Sequence, residues 1–431
     1  MTKDTIKGGK PAVTRRTALK TGAAAAGLAV GSGAVTGFPT IWAQNPITLR
    51  QFGTGVSNLN AIAEKCKEDL GITLEMTAMD SDAAAQRAVT QPDSYDVADI
   101  EYWIAKKVFP AGVMQPMDVT RLTYYDDIVP LFITGKLTPE STIAQGTAPH
   151  TVGFVDGPDS VVFAKEPTGW MTMVPTIYNA DTLGIRPDLV GREINSWADI
   201  MDPAFNGRTA ILNIPSIGIM DAAMICEAMG VIEYADKGNM TTEEIDTTID
   251  FLIKAKQDGQ FRAFWKSFDE SVNLMASGEV VIQSMWSPAV AAVRAKGVPC
   301  VYQPLKEGYR AWGGGIGLAK HLEGAQLDAA YEYINWYLSG WVGAYLNRQG
   351  YYSASLATAK KFMSEDEWGF WMEGKPAQGD ILSPDGRVME TAGAVRDGGS
   401  FEERMGAVAC WNSVMDEDRY MVRRWNEFIA A

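Results

Sequence analysis

Trp286 and Trp312 stand at the mouths of expected strands, where an indole face can hold an organic cation. Trp286 closes the apolar run Val280-Val281-Ile282, which is too short for a helix and reads as a strand covered on both faces. Trp312 precedes Gly313, Gly314 and Gly315, whose missing side chains allow close backbone approach or a hinge. One such face is worth ~0.5 to 2 kcal/mol toward a cation, and several around one cleft would also select shape. Glu101, Tyr102 and Trp103 directly follow the strand-like YDVADI, so a carboxylate and two aromatics fall at another C-terminal strand edge. The alternative there is a helix start, with Glu101 set against the helix dipole. Trp170, in the TGWMTMV stretch that leads into a long expected strand, joins the candidate set. Arg310, beside Trp312, would serve instead if the ligand were a zwitterion or an organic acid.

Other chemistries find little support. The only histidines are His150 and His321, and neither sits in a metal-ligand spacing such as HExxH, so neither a metal nor a cofactor is expected. Cys66, Cys226, Cys300 and Cys410 show no CxxC spacing; buried free thiols are expected, with one disulfide as the alternative in an oxidising compartment. GGGIG lacks the GxxxxGK[ST] pattern, and no GxSxG occurs, so the chain does not read as an enzyme, an exported enzyme with an unrecognised arrangement being the lesser alternative. A formal charge of −15 argues against nucleic acid, since phosphate binding needs basic surface. The same acidic balance is compatible with a cationic ligand, although a solvated surface is its commoner cause.

The elements that must position these residues follow from periodicity and capping. At ~150 residues per domain, a chain of 431 residues predicts two domains plus extras. ITLRQFG, ITLEM and YDVADI alternate with helical segments, predicting strand, helix, strand, helix, strand and a mostly parallel sheet. Ser57 is the expected cap of the first helix, and Gly71 its stop. Residues 119–159 are loop-rich. Ser216 is expected to cap a helix to Met229, and Thr241 with Glu244 forms a capping box for the next. After Trp286, Ser287 and Pro288 open a helix that Gly297 stops, and VPCVYQP returns as a strand. Leu327, Ala330, Tyr331, Ile334 and Leu338 mark an amphipathic helix, and Ser364 with Glu367 caps a helical tail.

At the N-terminus, residues 14–20, TRRTALK, resemble the twin-arginine export consensus, with Arg15 and Arg16 as the pair and Ala18 in place of the usual Phe. A weakly apolar Ala/Gly-rich stretch follows, and Ala43 offers a small residue for cleavage. Residues 1–43 are therefore expected to be a processed signal that leads, through the twin-arginine machinery, to a soluble periplasmic chain. No other stretch is apolar for 18 residues.

Landmarks spread along the rest of the chain resemble the solute-binding proteins of ABC importers, in particular their spermidine/putrescine-binding branch. They are Tyr95-Asp96 with GVMQPMD, Ile177-Tyr178-Asn179, SWADIMDPAFNGR, SGEVVIQSMW, YQPLKEGYRAW, and DAAYEYINWYLSG ahead of GYYSA. The resemblance implies an α/β fold of the two-lobed, type II-like periplasmic binding class, with two mostly parallel sheets, crossing hinge strands and a helical C-terminal tail. Lobe 1 would take residues 45–173 plus 313–355, and lobe 2 residues 174–312 plus 356–431. By motif position the ligand-lining aromatics fall on Trp286, Trp312 and Trp103, with Phe52 at the end of the first strand. Glu101 takes the place of a small polar contact. The branch also carries an aspartate where this chain has Gly314, and acidic contacts that fall here near Ile217 and Met220; Glu101 and Asp80 are the available substitutes. The implied role is capture of a small organic cation, polyamine-like or single-headed, by a monomer that delivers it to an inner-membrane permease.

Overall fold

A computed structural model describes residues 47–431. Arg15, Arg16 and Ala43 lie outside the described residues. The chain opens with β1 (Thr48–Gly53), α1 (Asn60–Leu70), β2 (Thr73–Ala78), α2 (Ser81–Thr90), β3 (Val97–Glu101) and α3 (Tyr102–Val108). β1 pairs in parallel with β2 on one side and β3 on the other, as the alternating elements predict. Gly71 closes α1 in the left-handed conformation at φ 77°, which only glycine adopts cheaply. Ser57 does not cap α1; Leu59 holds that position, and the Ser57 hydroxyl instead donates to the buried Asp99 carboxylate. A partner in the next strand has outcompeted the local cap.

Next come β4 (Val174–Ile185), β5 (Thr209–Leu212), α4 (Pro215–Ala228), α5 (Thr242–Gln257), β6 (Phe261–Trp265), α6 (Phe268–Ser277), β7 (Ile282–Met285) and α7 (Ser287–Arg294). β5 lies between β6 and β7, parallel to both. The strand before Trp286 starts at Ile282 rather than Val280, and α4 starts at Pro215 with Ile214 as its cap residue, so Ser216 caps nothing. The Thr241–Glu244 and Ser364–Glu367 capping boxes form as predicted. β8 (Tyr309–Ala319) and α8 (Gly324–Leu338) follow, and within the largely helical tail β9 (Val408–Trp411) precedes α9 (Asp418–Ala430).

Two long strands tie the molecule together. β4 and β8 are buried along their whole lengths and run antiparallel to each other. β4 also pairs with β7, and β8 with β3, giving the order β6-β5-β7-β4-β8-β3-β1-β2. Each lobe is thus a parallel group of three strands bordered by an antiparallel crossing strand, and the crossing strands join both groups in one hydrogen-bonded ladder. Glycines in β8 make this junction tight: a Cβ at Gly315 would lie 2.9 Å from the Val174 carbonyl oxygen, and one at Gly317 only 1.9 Å from Met114 Cε. Close packing, rather than a turn, explains the run.

Helices cover the second strand group on both faces. One core gathers Trp197, Ile211, Ile225 and Ile249 with Trp425 and Phe428 of α9; the other gathers Leu212, Trp265, Met275 and Val290. α9 inserts Met421, Trp425 and Phe428, a helical spacing, and Trp425 Nε1 donates to Asn213 Oδ1 at 2.9 Å. Burying each such side chain contributes roughly 1.5 to 3 kcal/mol before entropy.

Candidate functional site

Because β1, β2, β3, β5, β6 and β7 are each parallel to a neighbour in their own group, their C-terminal ends fall together, and the loops after them wall one cavity of about 460 Å³. Thr54 and Val56 follow β1, Met79 and Asp80 follow β2, and Glu101 ends β3. Ile214 follows β5, Lys266 follows β6 and Trp286 follows β7. The crossing strands supply the floor through Asp181, Arg310 and Trp312, and Gln349, Tyr351 and Asn412 close one side. Both strand groups therefore contribute, the arrangement expected of a cleft that traps a small molecule by closure.

The floor is an ionic network. Arg310 faces Asp181 across the β4–β8 pair and is only 2% exposed. Its Nε donates to Asp221 Oδ1 at 2.7 Å, Nη1 to Asn412 Oδ1 at 2.9 Å and Nη2 to Asp181 Oδ2 at 3.2 Å. Asp181 Oδ1 also accepts from the Tyr302 hydroxyl at 3.0 Å. Burial pushes the Asp181 carboxyl up to about 6 despite the pull of Arg310. The same carboxylates hold the guanidinium further up than usual against its own desolvation. One buried cation is thus held between two buried acids, and Arg404 adds its pull on Asp181.

Glu101 adds a third carboxyl beside this network. Burial pushes its carboxyl up to about 7, against the opposing pull of Ser81, Arg310 and Trp103. Its Oε2 is buried with no hydrogen-bond partner of good geometry, as is the neighbouring Trp103 Nε1. In the cavity wall, only Glu101 Oε2 and Asn412 Nδ2 are buried polar side-chain atoms left in this way, one able to accept and one to donate. Around them the wall is apolar and aromatic. The Trp286 ring meets Trp265 edge to face at 4.8 Å between centroids, and Trp312 meets Tyr351 at 5.8 Å.

The cavity brings together Glu101, Trp286, Arg310 and Trp312, with Asp80 on the rim capping α2 through the Ala83 N–H. It leaves out Phe52, Tyr102, Trp103, Trp170 and Gly314. Phe52 alternates to the other side of β1, where its ring packs on Tyr95 at 4.7 Å under the Arg87 guanidinium. Tyr102 turns into the core and donates to the Met173 carbonyl at 2.9 Å, and Trp103 lies buried behind Glu101. Trp170 pairs with Asp118 in a separate two-stranded sheet. A Cβ at Gly314 would press on Ile177 Cγ2 at 3.2 Å. Ile217 lines the wall as an apolar contact, while Met220 belongs to the core. Asp181, Asp221, Lys266, Tyr351 and Asn412 were not anticipated. A lone Asp inside the apolar YNADTL strand, matched by a lone Arg in YRAWGGG, is the one signal that could have exposed the floor.

Among the described residues no group of His, Cys, Asp or Glu is arranged to hold a metal ion, and no helix is long and apolar enough to cross a membrane. All four cysteines are buried and free.

The structure resembles the spermidine/putrescine ABC transporter substrate-binding protein PotD of Streptococcus pneumoniae: 15% identity, TM-score 0.59, covering 89% of this chain and 98% of that one. A putative spermidine/putrescine ABC transporter protein of Listeria monocytogenes gives 13% identity and TM-score 0.60 over the same shares. The Atu4243 GABA receptor gives 17% and 0.53, covering 89% of this chain and 97% of that one. Such identities establish the fold alone. Comparison with curated proteins returns no match. The family model for the bacterial extracellular solute-binding proteins matches residues 61–368, well over half of the chain. With that match, the chain belongs to the bacterial extracellular solute-binding proteins and is a binding protein rather than an enzyme.

Proposed function

We propose that the protein captures a small organic cation, polyamine-like or single-headed, in the interlobe cavity and delivers it to the permease of an ABC importer. The observation that carries this reading is Glu101. Its carboxyl lines the cavity beside Ser81 and Trp103, with Oε2 lacking a hydrogen-bond partner of good geometry, above a floor in which Arg310 is already paired with both Asp181 and Asp221. An ammonium group entering there gains a charge-assisted hydrogen bond and replaces lost hydration. The faces of Trp286 and Trp312 would flank its methylenes. The neighbours named for spermidine and putrescine support the class, and the cavity is wide enough for such a chain. Export through the twin-arginine route to the periplasm, and lobes of residues 45–173 plus 313–355 and 174–312 plus 356–431, complete the reading.

A second reading is favoured by the donors opposite Glu101. Asn412 Nδ2 is unpartnered, and Lys266 on the exposed rim forms no salt bridge among the described residues. Arg310 keeps two of its five N–H groups beyond the three it spends on the floor. A zwitterion with an amine at Glu101 and a carboxylate at these donors would use both ends, and one neighbour is a GABA receptor. Isothermal titration of residues 44–431 with putrescine, spermidine, choline, GABA and succinate separates the two. Binding of amines without a carboxylate establishes the first reading, binding of GABA alone the second, and binding of a dicarboxylate with all amines silent defeats both.

A further inference from the structure

Between α7, Tyr302 and the tail residues Trp371, Arg396 and Arg404 lies a second and much smaller cavity of about 20 Å³. That is room for a single water-sized or monatomic particle. Its wall includes Arg294, Arg396 and Arg404 with Trp371, and two acids, Glu390 and Asp397. Arg294 takes both acids: Nη1 donates to Asp397 Oδ2 at 2.7 Å, and Nη2 pairs with Glu390. Arg396 and Arg404 are 6% and 1% exposed and form no salt bridge among the described residues. Arg396 is held between the Tyr352 and Trp371 rings, 4.7 and 4.8 Å from their centroids, and Nη1 donates to the Trp371 carbonyl. Arg404 Nη1 donates to the Asp397 carbonyl at 3.0 Å and Nη2 to the Ala180 carbonyl at 3.2 Å.

Four donors of this wall have no acceptor of good geometry, Arg294 Nε, Trp371 Nε1, Arg396 Nη2 and Arg404 Nε, although the Tyr352 hydroxyl lies within reach of Arg396. Three guanidinium groups meet only two carboxylates in this wall, and the next acid in electrostatic reach of Arg404 is Asp181, beyond Tyr302 on the floor of the solute site. Burial lowers Arg396 to about 10, which still leaves it charged at neutral pH. A water would bring two further donors beside these N–H groups, whereas a monatomic anion brings acceptor capacity alone.

We infer that this cavity holds one small monovalent anion, a halide such as chloride, accepting from the unpartnered N–H groups of Arg396, Arg404 and Trp371. The anion caps the unpartnered N–H groups of Arg396 and Arg404 and fastens the C-terminal segment to the crossing strand through Arg404 and Ala180. Tyr302 links the two cavities: its ring lies under the Arg404 guanidinium at 5.2 Å, and its hydroxyl donates to Asp181 on the solute side. Anion occupancy therefore supports the floor of the solute site without touching the solute.

Two experiments on residues 44–431 test the site. Crystals soaked in sodium bromide should show an anomalous peak within hydrogen-bond distance of Arg396 Nη2 and Arg404 Nε. Thermal unfolding at constant ionic strength should rise by several degrees, saturably, as gluconate is exchanged for chloride, and Arg396→Met should lose that dependence. Should Arg396→Met fail to fold, the bromide experiment on the unmodified protein decides alone. A cavity occupied by water with no anomalous signal, or melting that follows ionic strength whatever the anion, overturns the assignment.

Discussion

Protonation of Glu101 should weaken solute binding. Its carboxyl is pushed up to about 7 in the solute-free protein, and an ammonium group binds only the ionised form. For a single titrating group the apparent Kd rises by the factor one plus ten to the power of pKa minus pH. Between pH 8 and pH 6 this is about a tenfold loss of affinity, or ~1.4 kcal/mol. Asp181, at about 6, steepens the loss further below pH 6 in the same direction. Calorimetry at pH 6.5 in two buffers of different ionisation enthalpy should detect a proton released as the amine enters. Glu101→Gln keeps the shape but removes the charge, forfeiting a charged hydrogen bond of about 1.5 to 3 kcal/mol, and so should bind roughly 10- to 150-fold more weakly at pH 8. Its affinity should also stay flat from pH 8 down to pH 6.5. A wild-type Kd that does not change between pH 8 and pH 6, or a Gln variant that retains the full slope, would refute the reasoning.

Trp286→Ala and Trp312→Ala should each weaken cation binding by ~0.5 to 2 kcal/mol, about 2- to 30-fold, with little change in fold; unchanged affinity in both would remove the aromatic wall from the account. Arg310→Leu strands Asp181 and Asp221 without their cation and should cost roughly 3 to 5 kcal/mol in urea unfolding, so it is a poor probe of ligand charge; near-neutral stability would show the network to be unimportant. For pH-dependent stability, Asp99 and Glu101 are pushed up by burial to about 7, whereas such carboxyls titrate near 4 when unfolded. Between these values the native state binds protons that the unfolded state has lost, so stability falls as pH rises through the window. The solute-free protein should melt at a lower temperature at pH 8 than at pH 5.5, with an upper bound of roughly 2 kcal/mol for Asp99 alone over that interval, and scanning calorimetry showing the reverse order would contradict it. The four cysteines, whose thiols burial pushes far up, should react with a thiol reagent only after denaturation; a disulfide detected in folded protein would contradict the free state.

The sequence exposed those elements whose signals are local. Capping boxes at Thr241 and Ser364 and the glycine stop at Gly71 depend on residues within a turn of each other, and they form as read. Trp286 and Glu101 were legible because parallel strands deliver their last residues to one edge, so position along the chain already implied position in space. Phe52 shows where that logic stops: at a strand end, one residue decides which face a side chain takes, and the choice rests on Tyr95 and Arg87, more than thirty residues away. Ser57 was misread for a similar reason, because a carboxylate forty-two residues on outbids a local cap. The floor was hidden because Asp181, Asp221, Arg310 and Asn412 come from four separate elements, and only the cross-strand match of Asp181 with Arg310 left a trace.

The central claim is that an amine occupies the interlobe cavity against Glu101. Native mass spectrometry of residues 44–431, purified without denaturation, identifies whatever the cavity retains. The account predicts one bound molecule carrying an aliphatic or quaternary ammonium group, lost from Glu101→Gln. A retained organic acid with no amine, held equally well by Glu101→Gln, would contradict it.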